Sequence, residues 1–500
     1  MSVVRRWLGL VFLAGVSLVG MGHVGTLDAF FAGEAGPYRL QVTVRPPGIV
    51  PGLAQVTVRV HGAGVSRVTT QAAQWNVGSR GAPAPDEAMR VAGDSTLWSS
   101  ELWLMTRGSY AVNVAVFGAA GEGRVAVPVS NVATQQKAMP ASLGWILAGL
   151  AAFLFLGFVS LIGASVRESV LPPGEAPPPA RLWRARVAMV GATVVLALVL
   201  SGGRAWWNSV DSAYARSLYR PMRMDATATS HDGRRTLRLV ITDSSYLRRE
   251  ITPLIPDHGK LVHLFMVREP AMNALAHLHP AALDSVTLEG GVGALPGGDY
   301  RWFADVVHES GYAETITGRM AVPALASPGE QLTDRDDAVF VGDAGGEPRV
   351  TFADSSTIEM EGDSSIASGR DVLLRFTVRE PSGDVATLEP YMGMPAHAMV
   401  ARDDGSVFAH LHSNGSFSMA AQRVIAAIER GDTLASADGR VPRPVLRDSS
   451  ASAGEHAMHV RAEGKLAFPF AFPKPGRYVA WVQFRRGDEV RTAAWRLDVR

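Results

Sequence analysis

Two segments of the chain carry the same four residues, Ala276-His277-Leu278-His279 and Ala409-His410-Leu411-His412. Side chains alternate between faces along an extended strand, so His277 and His279 share a face, and so do His410 and His412. A further histidine, His263 or His397, stands fourteen or thirteen residues earlier on a preceding strand-like run. Antiparallel neighbours reach each other across a ladder, so three imidazoles can converge in each copy. Three imidazoles suit Cu(II) or Zn(II), and among the divalent ions copper binds such nitrogen sites most tightly. The second copy adds sulfur. Met392, Met394 and Met399 surround His397, and His456, Met458 and His459 form a His-x-Met-His group. Thioether beside imidazole favours Cu(I). The candidate ligands are therefore His263, His277, His279, His397, His410, His412, Met394, His456, Met458 and His459, with copper the first choice of metal and zinc the second. His258, Met266 and His308 lie near the first set in sequence.

Plainer roles for these side chains compete with ligation. Imidazoles on a sheet can hydrogen-bond to backbone or Tyr groups and only define the fold, and methionines commonly fill cores. A chain of this design can also be an envelope scaffold that holds no metal. Catalytic signatures are missing: there is no Gly-x-Ser-x-Gly, Walker-type loop, His-Glu-x-x-His or cysteine nucleophile. A three-His site with an open position can still be catalytic, with Glu309 or Asp305 as base, but nothing in the sequence demands it. The reading is non-enzymatic.

The elements that must position these residues recur in order. The first copy runs Leu237–Ile241, Thr252-Pro253-Leu254, Val262–Val267, Ala276–His279 and Gly298–Trp302; the second runs Val372–Phe376, Glu389-Pro390-Tyr391, Ala396–Val400, Ala409–His412 and Gly476–Trp481. A repeated unit of this size means tandem domains built from short strands. The paired Tyr300 and Trp302, and Tyr478 and Trp481, read as core. An insertion at about 418–455 carries one amphipathic helical stretch, Met419 to Arg430. The His/Met-rich pattern of the second copy resembles the copper motifs of periplasmic copper-carrying proteins, and the resemblance implies copper handling.

Upstream lies another β-rich region, with runs at Tyr38–Val44, Ala54–Val60, Val65–Thr70, Leu97–Met105, Tyr110–Phe117 and Gly123–Val129 separated by Pro/Gly turns. Its one histidine, His61, reads as structural or exposed. Gly108-Ser109-Tyr110-Ala111-Val112-Asn113-Val114, after a Leu97-Trp98 strand, resembles the small YtkA-like and FixH-like periplasmic domains over about a hundred residues. That resemblance implies a metal or oxidase-assembly role.

Three apolar runs interrupt these modules. Trp7 to Leu27, behind Arg5 and Arg6, is a signal peptide or a first membrane helix. Leu143–Val166 is long enough to span a bilayer, and Val187–Gly203 is a shorter span flanked by Trp206 and Trp207. The loop between the second and third runs carries Arg167, Arg181, Arg184 and Arg186, which places it on the cytoplasmic side. Residues 28–140 and 204–500 then face outward from an inner membrane. Neither of the second and third spans holds an ionisable residue, so they anchor rather than transport. The net charge of +1, with no basic block, excludes nucleic acid as a partner. The absence of cysteine excludes disulfides, thiolate zinc sites, iron–sulfur clusters and thiolate-bound copper.

The organisation expected is therefore mainly β: three Ig-like or cupredoxin-like antiparallel sandwiches with two or three transmembrane helices. The segments are a leader or first helix (1–27), a periplasmic sandwich (28–140), a helix (141–166), a cytoplasmic loop (167–186) and a helix (187–203). A first sandwich repeat (204–323), a linker with the first strands of the second repeat (324–370) and the second repeat (371–500) follow. The protein is membrane-embedded, and an envelope or respiratory protein is a natural partner.

Overall fold

Strands form where β-branched and aromatic residues alternate with polar ones, and in this chain several pairs of antiparallel sheets result. The computed structural model describes residues 27–62, 64–172, 174–324, 332, 334–362, 366–434, 443–444 and 461–500. The first apolar run, up to residue 26, lies outside the described residues. So do His456, Met458 and His459.

The N-terminal module has strands β1 (Ala29–Ala35), β2 (Tyr38–Arg45), β3 (Gly52–His61), β4 (Val65–Gln74), β5 (Leu97–Leu104), β6 (Gly108–Gly118) and β7 (Gly121–Asn131). One sheet runs β1-β2-β3-β5 and the other β4-β6-β7, each with a two-residue strand at an edge. Val42, Val44, Val56, Val58 and Leu104 of the first sheet meet Val68, Val112, Val114 and Val127 of the second in one core. The first strand, Ala29–Ala35, begins before the expected run at Tyr38. His61 is exposed at the end of β3.

The chain divides into two compact units, one reaching to Val132 and resuming at Arg220–Arg500, the other Ala133–Tyr219. The second unit holds two helices, α1 (Ala141–Glu168) and α2 (Pro179–Arg216), both long and apolar enough to cross a membrane. At about 1.5 Å per residue each exceeds the roughly 30 Å hydrocarbon layer. They pack against each other, and Gly163 makes room: a Cβ there would lie 2.6 Å from Met189 Sδ. The second helix continues well past Gly203, so residues 204–216 are helical rather than the start of a sandwich.

The first repeat contains β8 (Met224–His231), β9 (Arg234–Ile241), β10 (His263–Arg268), β11 (Ala274–Leu278), β12 (Thr287–Gly291), β13 (Gly298–His308) and β14 (Ala313–Val322). Its sheets run β8-β9-β12 and β11-β10-β13-β14. A further strand, β15 (Ala338–Val341), pairs with β11 through Ala276↔Val339 and His277↔Ala338. Part of the expected linker thus belongs to the first repeat's sheet. Extended backbone beside an open strand edge is satisfied by joining it.

The second repeat contains β16 (Arg349–Thr351), β17 (Thr357–Glu361), β18 (Asp371–Arg379), β19 (Ala396–Arg402), β20 (Phe408–His412), β21 (Lys465–Ala471), β22 (Gly476–Arg486) and β23 (Glu489–Val499). Its sheets run β16-β17-β18-β21 and β20-β19-β22-β23. The order β11-β10-β13-β14 therefore recurs as β20-β19-β22-β23, and β8-β9-β12 as β17-β18-β21.

Alternation decides what each strand does. Leu264, Met266, Ala276, Leu278, Trp302 and Ala304 point into the first sandwich. Ala398, Val400, Leu411, Ala480 and Val482 point into the second. The alternate residues are buried too. Phe265, Leu275 and Phe303 pack on Met399, Phe408 and Trp481, with the Phe303 and Phe408 rings stacked 4.1 Å apart. The histidine-bearing sheets thus lie face to face, and the rings sit on that shared face. The expected core residues Tyr300, Trp302, Tyr478 and Trp481 are all buried.

Helix α3 (Met419–Arg430) spans the stretch expected from its periodicity. Ser418 caps it by accepting the Ala421 N–H, and Gly431 ends it at φ 76°, a left-handed conformation that glycine adopts without strain. Its apolar stripe, Ala420, Ala421, Val424 and Ile428, packs on Ile255 and Val307 of the first repeat and Trp75 of the N-terminal module.

Candidate metal centre

Among the described residues, seven histidines gather where the two repeats meet. The register explains the grouping. Leu264 pairs with Leu278, so His263 and His279 come next on the ladder between β10 and β11. His397 pairs directly with His412, and Met399 with His410, between β19 and β20.

In the first repeat His263 Nδ1, His277 Nε2 and His279 Nε2 lie 3.2–3.3 Å from one another. A near-equilateral triangle of that side has its centre about 1.9 Å from each corner, so an ion with bonds of about 2.0–2.1 Å sits just off the plane, as in a tetrahedral site with its fourth position open. In the second repeat His397 Nδ1 and His410 Nε2 are 3.1 Å apart, and the ligand atoms of His397, His410 and His412 all fall within 4.8 Å. Both triads can hold a metal ion. Five of the six residues are buried and His410 is nearly so.

The other ring nitrogens fix which tautomer is present. A backbone carbonyl only accepts, so the nitrogen facing it carries the proton. His263 Nε2–H donates to the Asp257 carbonyl (3.1 Å), His397 Nε2–H to the Tyr391 carbonyl (3.1 Å) and His412 Nδ1–H to the Phe417 carbonyl (3.2 Å). His277 Nδ1–H donates to Gln483 Oε1 (2.9 Å), whose Nε2–H is committed to Thr492. His279 Nδ1–H donates to Asp337 Oδ1 (2.9 Å); the Asp337 oxygens also accept the backbone N–H groups of His279 and Asp334. His410 Nδ1 faces Asp305 Oδ2 at 3.3 Å. The inward nitrogens of His263, His277, His279, His397 and His412 are therefore unprotonated lone pairs, and His410 turns its Nε2 to the same point. Lone pairs so close repel unless a cation lies among them, and His412 Nε2 is buried with no partner. Acceptors behind each ring are the outer shell that orients metal-bound histidines.

Electrostatics agree. Burial pushes His263, His277, His279, His397 and His410 below the ordinary histidine range and His412 down to about 4, so the rings are neutral at pH 7. Burial also lifts Asp305 and Asp337 to about 7 each. A cation in the triads draws both towards the carboxylate form.

Of the remaining candidates, His456, Met458 and His459 lie outside the described residues. Met394 is buried in the turn Tyr391–Met394, where its backbone pairs with Tyr391. Met266 points into the sandwich core, away from the triad. His308 is held by the Thr252 carbonyl and Glu314. Sequence reasoning did not find the roles of Asp337, Gln483 or the Asp257 and Tyr391 carbonyls. A usable signal was present: His-Leu-Phe-Met-Val and Ala-His-Ala-Met-Val-Ala lack a polar alternate, which marks strands covered on both faces.

Residues 351–441 match a family model described as "Domain of unknown function (DUF8832)". Curated proteins give no match. Among solved structures, an engineered protein aligns at 23% identity over 18% of this chain and 19% of its own, with a TM-score of 0.15. Dimeric latent PorU from Porphyromonas gingivalis aligns at 8% identity over 95% of this chain and 34% of its own, also at 0.15. The D1–D4 ectodomain fragment of ICAM-5 aligns at 8% identity over 93% and 77%, at 0.16. The chain thus spans only a fifth to a third of the first two, and scores this low carry no argument about fold or function.

Proposed function

We propose that this is a membrane-anchored metal-handling protein that binds copper, with zinc the second choice, through the His triads of two extracytoplasmic repeats. One observation carries the reading: six imidazoles turn ring nitrogens inward in two groups of three, five of them fixed from behind by a hydrogen-bond acceptor and His410 standing beside Asp305. His412 Nε2 and His258 Nε2 are both buried at the cluster with no hydrogen-bond partner, as donors awaiting an ion are. All-imidazole donors exclude neither metal, and the tighter binding of copper by nitrogen ligands puts it first. The Arg-bearing loop between the two apolar helices favours an inner-membrane location with the repeats on the periplasmic side. We read each repeat as an Ig-like or cupredoxin-like sandwich and the role as binding or delivery, with an envelope or respiratory protein as recipient.

The test is titration of the purified full-length chain in detergent with Cu(II), Cu(I) and Zn(II), followed by thermal unfolding. A ligand that binds only the folded state raises its stability. The reading expects stoichiometric binding and a raised Tm, both diminished in the double variant His277→Phe/His279→Phe. No binding, with an unchanged Tm, would leave an envelope scaffold without metal.

A further inference from the structure

The two triads are not separate sites. Across the repeats, the His263 and His410 rings lie 5.5 Å apart, His277 and His410 5.8 Å, and His277 and His397 6.4 Å. Within a triad the spacings are 4.5–5.6 Å. The neighbouring triad is thus about as close as a ring's own partners.

Each triad is also completed by the other repeat. Asp305 stands opposite His263 on the first repeat's ladder, yet its carboxylate faces His410 of the second. Gln483 stands opposite His397 in the second repeat, yet it accepts from His277 of the first. These are equivalent positions, exchanged across a pseudo-two-fold axis. The turns before the two strands match as well: Asp257-His258-Gly259-Lys260 and Tyr391-Met392-Gly393-Met394 both close with paired backbone bonds, and His258 and Met392 both take φ 50°. His258 reaches over the second triad, with its ring 5.5 Å from His397 and 5.1 Å from His412 and its Nε2 buried without a partner. It lies 6.0 Å from His263 of the first.

A cavity of about 150 Å³ opens on this cluster, lined by Asp257, Lys260, His263, Asp305, His410 and His412. It touches ligands of both triads. The ring spacings of 5.5–6.4 Å across the repeats put the centres of the two triads on the order of 6 Å apart. That span is too long for one bridging atom and fits a ligand of two or three heavy atoms.

We infer that the triads form one two-metal centre, whose open positions face a shared cavity and take a single small oxygen- or nitrogen-donor ligand between them. The inference rests on the metal-binding reading and specifies how it is built. Carboxylates Asp257, Asp305 and Asp337 around the cluster offset the charge that two adjacent ions bring, and a small anion between the ions offsets more.

The experiment is electron paramagnetic resonance on the full-length chain in detergent loaded with Cu(II), with azide as the small-ligand probe. The expected result is two copper ions per chain and spectra of an interacting pair: dipolar broadening and a half-field transition. Azide should titrate at one per two copper ions. His410→Phe, which removes one triad's central ligand, should leave one copper per chain with an isolated-ion spectrum. Two bound ions with isolated spectra, two azides per pair, or a pair signal that survives His410→Phe would overturn the two-metal centre while leaving metal binding intact. No bound copper would overturn the metal reading itself.

Discussion

Replacement of His412 by Phe separates a ligand from a packing residue. In the metal-free chain His412 makes one bond, Nδ1–H to the Phe417 carbonyl, and leaves Nε2 buried and unpaired. Losing the bond leaves the buried Phe417 carbonyl without its partner, which costs about 1–3 kcal/mol, and removing the orphan Nε2 acceptor returns about 1–3 kcal/mol. The ring sits 4.7–5.1 Å from those of His258, His397 and His410, a spacing that suits a benzene ring. The net change in the metal-free protein is therefore near zero, within about 2 kcal/mol either way. Metal reverses the comparison. An ion at a hundred times its Kd adds about 2.7 kcal/mol. At about 2 °C per kcal/mol for a large folded unit, that is roughly 5 °C per ion. The wild-type chain should gain about 10 °C from two ions and His412→Phe about half of that. Differential scanning fluorimetry in detergent, with and without Cu(II) or Zn(II), reads both. A variant that loses more than about 2 kcal/mol without metal, yet responds to metal like the wild type, would refute the assignment of His412 as a ligand.

Three further outcomes follow from the geometry. Gln483→Leu strips the nearer acceptor from His277 Nδ1, at 2.9 Å, and leaves only the Tyr391 hydroxyl at 3.3 Å. It should lower affinity at the first triad by about 10–100-fold, although the residue belongs to the second repeat; competition with a chromophoric chelator measures this. Acid should destabilise the metal-free protein. His412 has its folded pKa depressed to about 4 against about 6.5 unfolded, so the unfolded chain binds the extra proton. The His412 contribution is full above pH 6.5 and lost as pH falls towards 4, about 3 kcal/mol in all, which urea melts at pH 7, 5.5 and 4.5 should show as a falling midpoint. Finally, the chain has no cysteine, so single substitutions report topology. Ala176→Cys, between the two apolar helices, should label only after cells are opened, and exposed Gly487→Cys should label in intact spheroplasts.

Much of this architecture was legible because period-two patterning is strong and the repeat is ordered. The shared Ala-His-Leu-His and the ladder spacing place three rings together in each copy, and the helix Met419–Arg430 follows from its apolar stripe. What could not be read was the packing of one repeat on the other. Nothing in the order of strands says which outer face meets which, so the adjacency of His277 and His410 and the crossed roles of Asp305 and Gln483 were invisible. Asp337 was hidden for another reason. It lies in a segment without strand pattern, and only the pairing of β15 with β11 brings its carboxylate behind His279. Of the sulfur candidates, Met394 sits buried in the Tyr391–Met394 turn and Met458 lies outside the described residues. Strand alternation sends Met266 into the core, as it does any residue at that parity.

X-ray absorption on the full-length chain loaded with two equivalents of copper or zinc tests the central claim most directly. The account predicts a first shell dominated by nitrogen at about 2.0–2.1 Å, with the outer-shell scattering of about three imidazoles per ion. A shell of oxygen donors without imidazole scattering, or metal lost on a desalting column, would contradict it.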